Sequence, residues 1–181
     1  MNKLVPGTTP RYSRADVQSI LQTYLEYDPK EVCILAIEGY YADTMGIPGH
    51  NDIGVYDDAI FIVGPDCFIS FNANTDPSRR KQRMADLNAG VWLYKLGIHG
   101  LSKPEAKQYK ALVQAAPVTV TRWLQGEDTG FFGINIHRGS YTGTSSLGCQ
   151  TIWPDQWQSF ISTVELQMKK LGQKTIKYLK V

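Results

Sequence analysis

The chain has 181 residues, 43% apolar and 20% charged, with a formal charge of +2. That mixture suits one globular domain that can bury a core without staples, and it excludes a disordered chain. The charge excess is too small for a phosphate-tracking surface, so no nucleic-acid partner is expected, and no stretch approaches the roughly 18 apolar residues of a membrane span.

Residues 1–12 read as a flexible N-terminal arm, with no apolar export segment in Met1-Asn2-Lys3-Leu4-Val5-Pro6-Gly7. Ser13 followed by Asp16 has the form of a helix cap, and Val17, Ile20, Leu21 and Tyr24 recur at helical spacing up to Asp28-Pro29. Residues 31–37 form an apolar run expected as a buried strand. Residues 39–58, rich in Gly, Asn and Asp, read as a long structured loop that walls a substrate groove; its acids do not match a calcium-loop spacing. Ala59–Val63 and Cys67–Phe71 flank Gly64-Pro65-Asp66 as a hairpin. The dense basic run Arg79-Arg80-Lys81 with Arg83 reads as a solvated loop or as an anionic-ligand patch.

Val91–Leu96 is expected as a strand, Pro104–Ala116 as a short helix with Pro104 in its first turn, and Val118–Trp123 as an alternating strand. Gly126–Gly130 reads as a turn and Phe131–His137 as another strand. Pro154 opens the clearest helix, with Trp157, Phe160, Ile161, Val164 and Met168 on one side and Gly172 as its stop. Lys174–Val181 closes the chain as a strand. The sum is a mostly β (α+β) single domain, residues 1–181, with about three peripheral helices. Three cysteines cannot all pair; a Cys33–Cys67 bridge is conceivable but no spacing pattern supports it, and a buried inert thiol is the expectation for Cys33.

Chemistry concentrates in residues 133–152. A strand delivers His137, a small Gly-rich loop follows, and the chain re-enters an apolar element just after Cys149. This order brings an imidazole and a thiol together across one loop, where a base would lower the thiol pKa and leave a thiolate at neutral pH. Gly148 allows close approach of a substrate carbonyl, and N–H groups around Gly148 and Cys149, oriented with Ser146 and Leu147, would form an oxyanion hole. Arg138 and Gln150 are candidates for binding substrate carboxylate or amide groups. Ser146 and Thr144 either orient His137 or satisfy loop backbone, and Tyr141 either lines the groove or covers the loop.

These residues resemble the signature of the L,D-transpeptidase (YkuD-type) family, a strand-borne His followed by Ser-x-Gly-Cys, here His137 and Ser146-Leu147-Gly148-Cys149. The family's second His is Leu147 here, and Gln150 follows the Cys, which marks a divergent member. The resemblance implies a β-sandwich or barrel fold and a Cys149 nucleophile that attacks a peptidoglycan stem peptide, forms an acyl-enzyme and transfers it to water or an amine. No cofactor and no metal are implied, and a monomer is expected. Without an export segment, a phage lysis enzyme or a delivered cell-wall toxin, hydrolytic rather than cross-linking, fits best: made in a cytoplasm and acting in the wall or periplasm. Two alternatives stand beside this. A zinc-dependent cell-wall amidase or peptidase would take ligands from His50, His99, His137 and Cys149, although no compact pair such as His-Glu-x-x-His occurs. A non-catalytic wall-binding module would carry the same loop without chemistry.

Overall fold

Buried residues alternate between two cores along the first strand, and that alternation explains the architecture. The structure, a computed structural model, describes residues 4–82 and 84–181. Met1–Lys3 of the expected arm and Arg83 of the basic run lie outside the described residues. In β1 (Cys33–Ile37), Ile34 and Ala36 enter the main core, while Cys33 and Leu35 enter a second core beneath α1 (Arg14–Tyr24). Burial on both faces is why this segment reads as a continuous apolar run. The capping box starts α1 as expected, with Ser13 Oγ accepting the Asp16 N–H and the Asp16 carboxylate accepting the Ser13 N–H. Val17 and Leu21 are the residues of α1 that reach the second core.

The expected hairpin is present as β2 (Asp58–Gly64) and β3 (Cys67–Asn74). Eight strands close a barrel in the order β1, β11 (Ile176–Lys180), β5 (Gly90–His99), β6 (Tyr109–Gln114), β9 (Ile136–Arg138), β10 (Gln150–Ile152), β3, β2. A second sheet joins β4 (Ala85–Leu87), β7 (Val118–Arg122) and β8 (Gly126–Gly130). Helix α2 (Pro154–Leu171) lays Trp157, Phe160, Ile161, Val164 and Met168 on the main core and ends at Gly172, whose φ of 68° suits a residue without a Cβ. The result is mostly β, with the helices outside the sheets.

Three local expectations are corrected. Pro104–Ala116 is not a helix: one 3-10 turn, Glu105–Lys107, precedes β6, which pairs antiparallel with β5. Among the described residues the α-helices therefore number two, with that single turn in place of the third. Gly126–Gly130 is the exposed strand β8 rather than a turn, paired with β7 from Val118↔Gly130 to Arg122↔Gly126. Phe131–His137 is strand only from Ile136, because the Gln114 side-chain oxygen takes the N–H groups of Phe132 (3.0 Å) and Ile134 (2.8 Å). A side chain supplies there what a neighbouring strand would otherwise supply.

All three cysteines are free thiols. Burial pushes Cys33 up to about 12, so it is inert. From Leu4 onward the N-terminal arm is tied to the barrel: the Leu4 carbonyl accepts from Tyr56 N–H, the Thr8 carbonyl from Tyr41 Oη and Asn72 Nδ2, and the Pro10 carbonyl from Ser70 Oγ.

Candidate active site

The groove that holds Cys149 and His137 is built where three short strands end. β9 and β10 run parallel, with Gln150 beside Ile136 and Thr151 beside His137, and β6 meets β9 at Leu112↔Ile136. The chain that leaves β9 after Arg138 must therefore cross back to the end where β9 began before it starts β10 at Gln150. The groove has a volume of about 920 Å³ and is lined by the end of β5, the turn after it, Tyr109, Asn135, His137, Arg138, Gly139 and the loop residues Ser145, Leu147 and Cys149. A second cleft of about 680 Å³ shares Lys103, Ser145 and Leu147 with it and adds Arg79 and several hydroxyl side chains.

Two residues outside the motif fix the returning loop. Tyr56 is fully buried; its hydroxyl accepts the Ser140 N–H at 2.9 Å and lies 3.0 Å from the Gly143 carbonyl, to which it can donate. A Cβ on Gly139 would run into that hydroxyl. Ser78 Oγ accepts the Ser146 N–H at 2.7 Å and pairs with Thr144 Oγ1 at 2.6 Å. Nothing in the sequence signalled either clamp, since both partners lie more than sixty residues away. The long loop before β2, expected as a groove wall, instead supplies Tyr56 beneath the loop.

The Ser-x-Gly-Cys motif is itself a turn. Ser146 Oγ donates to the Cys149 carbonyl at 2.7 Å and accepts the Gly148 N–H at 3.0 Å. The Gly148 N–H is thus occupied and does not face an oxyanion, which corrects that part of the expected oxyanion hole. Gly148 has φ 141°, and a Cβ there would collide with the Ala85 carbonyl of β4; only glycine satisfies both demands. Leu147 is exposed and lines the groove, with its carbonyl bonded to Ala85 N–H at 3.2 Å.

Cys149 Sγ accepts the Asn135 N–H at 3.4 Å and lies 3.4 Å from the Gly133 carbonyl. A carbonyl oxygen only accepts, so the sulfur facing it carries its proton. Burial pushes the thiol above its usual range, against the pull of the Asn135 N–H and of Lys103. The expected resting thiolate is thereby corrected: the sulfur is a protonated thiol. His137 is buried, and burial, then the neighbouring His99, hold it down at about 4. Its Nδ1 lies 2.7 Å from the Arg138 carbonyl. By the same reasoning Nδ1 carries the hydrogen, and Nε2 is left as the free lone pair. At neutral pH the pair is thiol and imidazole, not thiolate and imidazolium.

Arg138 lines the groove with its guanidinium 5.5 Å from the centre of the Tyr109 ring. The other candidate substrate contacts lie elsewhere. Gln150 is fully buried, accepts from Tyr178 Oη at 2.8 Å and donates to the Gly148 carbonyl at 3.2 Å, so it anchors the motif from inside. Thr144 is buried against Ser78. Tyr141 is exposed, bonds to Asp155 at 2.6 Å and packs edge-on against Trp153, away from the groove. His99, at the end of β5, lines the groove and stacks on His137 with ring centres 4.1 Å apart. A strand over Val91–Leu96 alone would not carry His99 to the groove; β5 runs on to His99 and does so.

His50 sits in the long loop, its N–H bonded to the Ile47 carbonyl. Of the zinc candidates, His99, His137 and Cys149 share the groove, yet they do not bring three ligand atoms within 4.8 Å of one another. Among the described residues only Glu38, Asp76 and Asp86 do so. Lys180 already bonds to two of these acids, with Nζ 2.5 Å from Glu38 and 3.2 Å from Asp86. No protein-family model matches the chain, and no curated protein and no solved structure shows a significant match to it.

Proposed function

We propose that the protein is a cysteine-dependent enzyme of peptidoglycan stem peptides, hydrolytic rather than cross-linking, working through an acyl-enzyme on Cys149. The observation that carries this reading is the commitment of His137 Nδ1 to the Arg138 carbonyl, which leaves Nε2 as the proton-accepting nitrogen of a ring that lines the same groove as Cys149. Attack and deprotonation occur together. His137 Nε2 takes the thiol proton as sulfur bonds to the scissile carbonyl carbon, and the Cys149 N–H faces the resulting oxyanion. The C–N bond then breaks and His137 returns its proton to the leaving amine. Water, deprotonated by the same nitrogen, cleaves the thioester; the acid departs and the thiol regains its proton.

The charge of the groove supports an anionic substrate. Lys95, Lys103 and Arg138 line it, and no Asp or Glu is among its lining residues. Because thiol and imidazole are both neutral at rest, nothing in the pair offsets those cations, and stem peptides carry several carboxylates. The reading places the protein in the bacterial wall or periplasm after release or delivery, as a lysis enzyme or toxin, acting as a monomer without cofactor.

Intact-protein mass spectrometry after brief mixing with a stem tetrapeptide tests the covalent step. Wild type gains one acyl adduct mapping to Cys149, and Cys149→Ala gains none. Turnover without any adduct, persisting in Cys149→Ala, overturns the thiol mechanism.

A further inference from the structure

We propose that His99 is a positioning residue for His137, a second imidazole from another strand that sets the plane of the reacting ring and keeps its Nε2 turned into the groove. This rests on the acyl-enzyme reading above. The two rings are nearly parallel, 25° apart, with centres 4.1 Å from one another. His99 is itself tethered: its Nδ1 lies 3.2 Å from Asn135 Nδ2. Asn135 is also the residue whose N–H reaches Cys149 Sγ. One residue thus ties the stacking ring through its side chain and the thiol through its backbone.

Tyr109 completes the frame. It pairs directly with His99 across β5 and β6, and its hydroxyl lies 3.3 Å from His137 Nδ1. His137 is therefore held on one face by His99 and at Nδ1 by the Arg138 carbonyl and Tyr109. Rotation of the ring about its Cβ–Cγ bond would break the stack and both polar contacts together. The charged groups lining the groove with this pair, Lys95, Lys103 and Arg138, are all cations. Burial and Lys103 lower the pKa of His99. A neutral His99 presents a π face to the imidazolium that forms on His137 during attack, an attraction that its own protonation would replace by repulsion.

His99→Ala and His99→Phe test this, read by kcat and KM on a stem tetrapeptide, the 15N shifts of the His137 ring without substrate, and Tm. A mis-set reacting group costs on the order of 100-fold. His99→Ala is expected to lower kcat about 10- to 100-fold with KM within about two-fold, and to mix the His137 tautomers. His99→Phe, which keeps a flat face, is expected to recover kcat to within about five-fold and to keep the hydrogen on Nδ1. An unchanged kcat and tautomer in His99→Ala would overturn the proposal, as would a His99→Phe variant as impaired as His99→Ala. Should wild type leave every stem peptide intact, the functional reading fails, and the tautomer arm alone decides the role of His99: mixed tautomers in His99→Ala support it, and an unchanged ring overturns it.

Discussion

Cys149 and His137 are each held in their uncharged forms by burial, and this decides how the pair titrates. The histidine, lowered to about 4, is neutral and able to accept a proton at every pH above that value. The thiol, raised from its usual 9.0, stays protonated through neutrality. Iodoacetamide should therefore label Cys149 at pH 7 more slowly than free cysteine, with the rate rising only above pH 9. A labelling plateau below pH 7 would mean an ion pair and contradict the site described above. Peptide turnover should keep its acid limb below pH 5, because a neutral His137 is the working base. At Gly148, both the φ of 141° and the Ala85 carbonyl oppose a side chain. Gly148→Ala should lower the unfolding free energy by about 2–3 kcal/mol in a denaturant titration, the range for a strained backbone at a functional site.

At the scale of elements, the sequence was legible where local chemistry and tertiary placement agree. The Ser13 capping box, the Gly64-Pro65-Asp66 hairpin and α2, with Pro154 at its start and Gly172 at its end, all appear where their signals put them. It was misleading where pairing overrides composition. Residues 104–116 are rich in Ala, Lys, Gln and Leu, good helix formers, yet β5 presents an open edge and Tyr109–Gln114 fills it. That one misreading also hid the roles of Tyr109 and His99, because only the strand pairing brings both to His137. The motif itself was legible, but the assignments of Gln150 and Thr144 were not: a polar residue beside a nucleophile looks the same in sequence whether it faces substrate or core. Lys180 on β11 shows the same limit. It is buried, bonds to Glu38, Asp86 and the Leu87 carbonyl, and so pins β4 to the barrel. Lys180→Met removes the cation and leaves those acids facing one another. A loss of about 2 kcal/mol or more is expected by urea denaturation, below the full cost of a broken buried pair because Glu38 and Asp86 reach solvent.

For the whole molecule, the pH dependence of stability follows from a row of buried carboxyls behind the loop before β2. Burial raises Asp57 to about 6, Asp58 to about 7 and Asp76 to about 8, and each is raised further by a neighbouring acid. The folded state therefore holds protons that the unfolded chain, with ordinary carboxyls near 3.8, has already released. Stability from this group is fully present below the unfolded value and is lost as pH rises through 6 to 8. Between about pH 7.5 and 8.5 both histidines of the groove are largely neutral folded or unfolded, so the acids dominate the slope there. The urea midpoint should fall across that window, and Asp76→Asn, whose amide oxygen can still accept from Asn51, should flatten the fall. A flat wild-type profile would show that the row is ionised in the native state.

Digestion of purified peptidoglycan, read by mass spectrometry of the released muropeptides, measures most directly the chemistry proposed for Cys149. Wild type is expected to give new stem-peptide products, Cys149→Ala none, and wild type with EDTA the same products as without it, their masses naming the bond that was cut. Products that survive in Cys149→Ala, or that vanish with EDTA, would contradict a thiol mechanism, and a wild type that releases nothing would contradict the assignment to peptidoglycan.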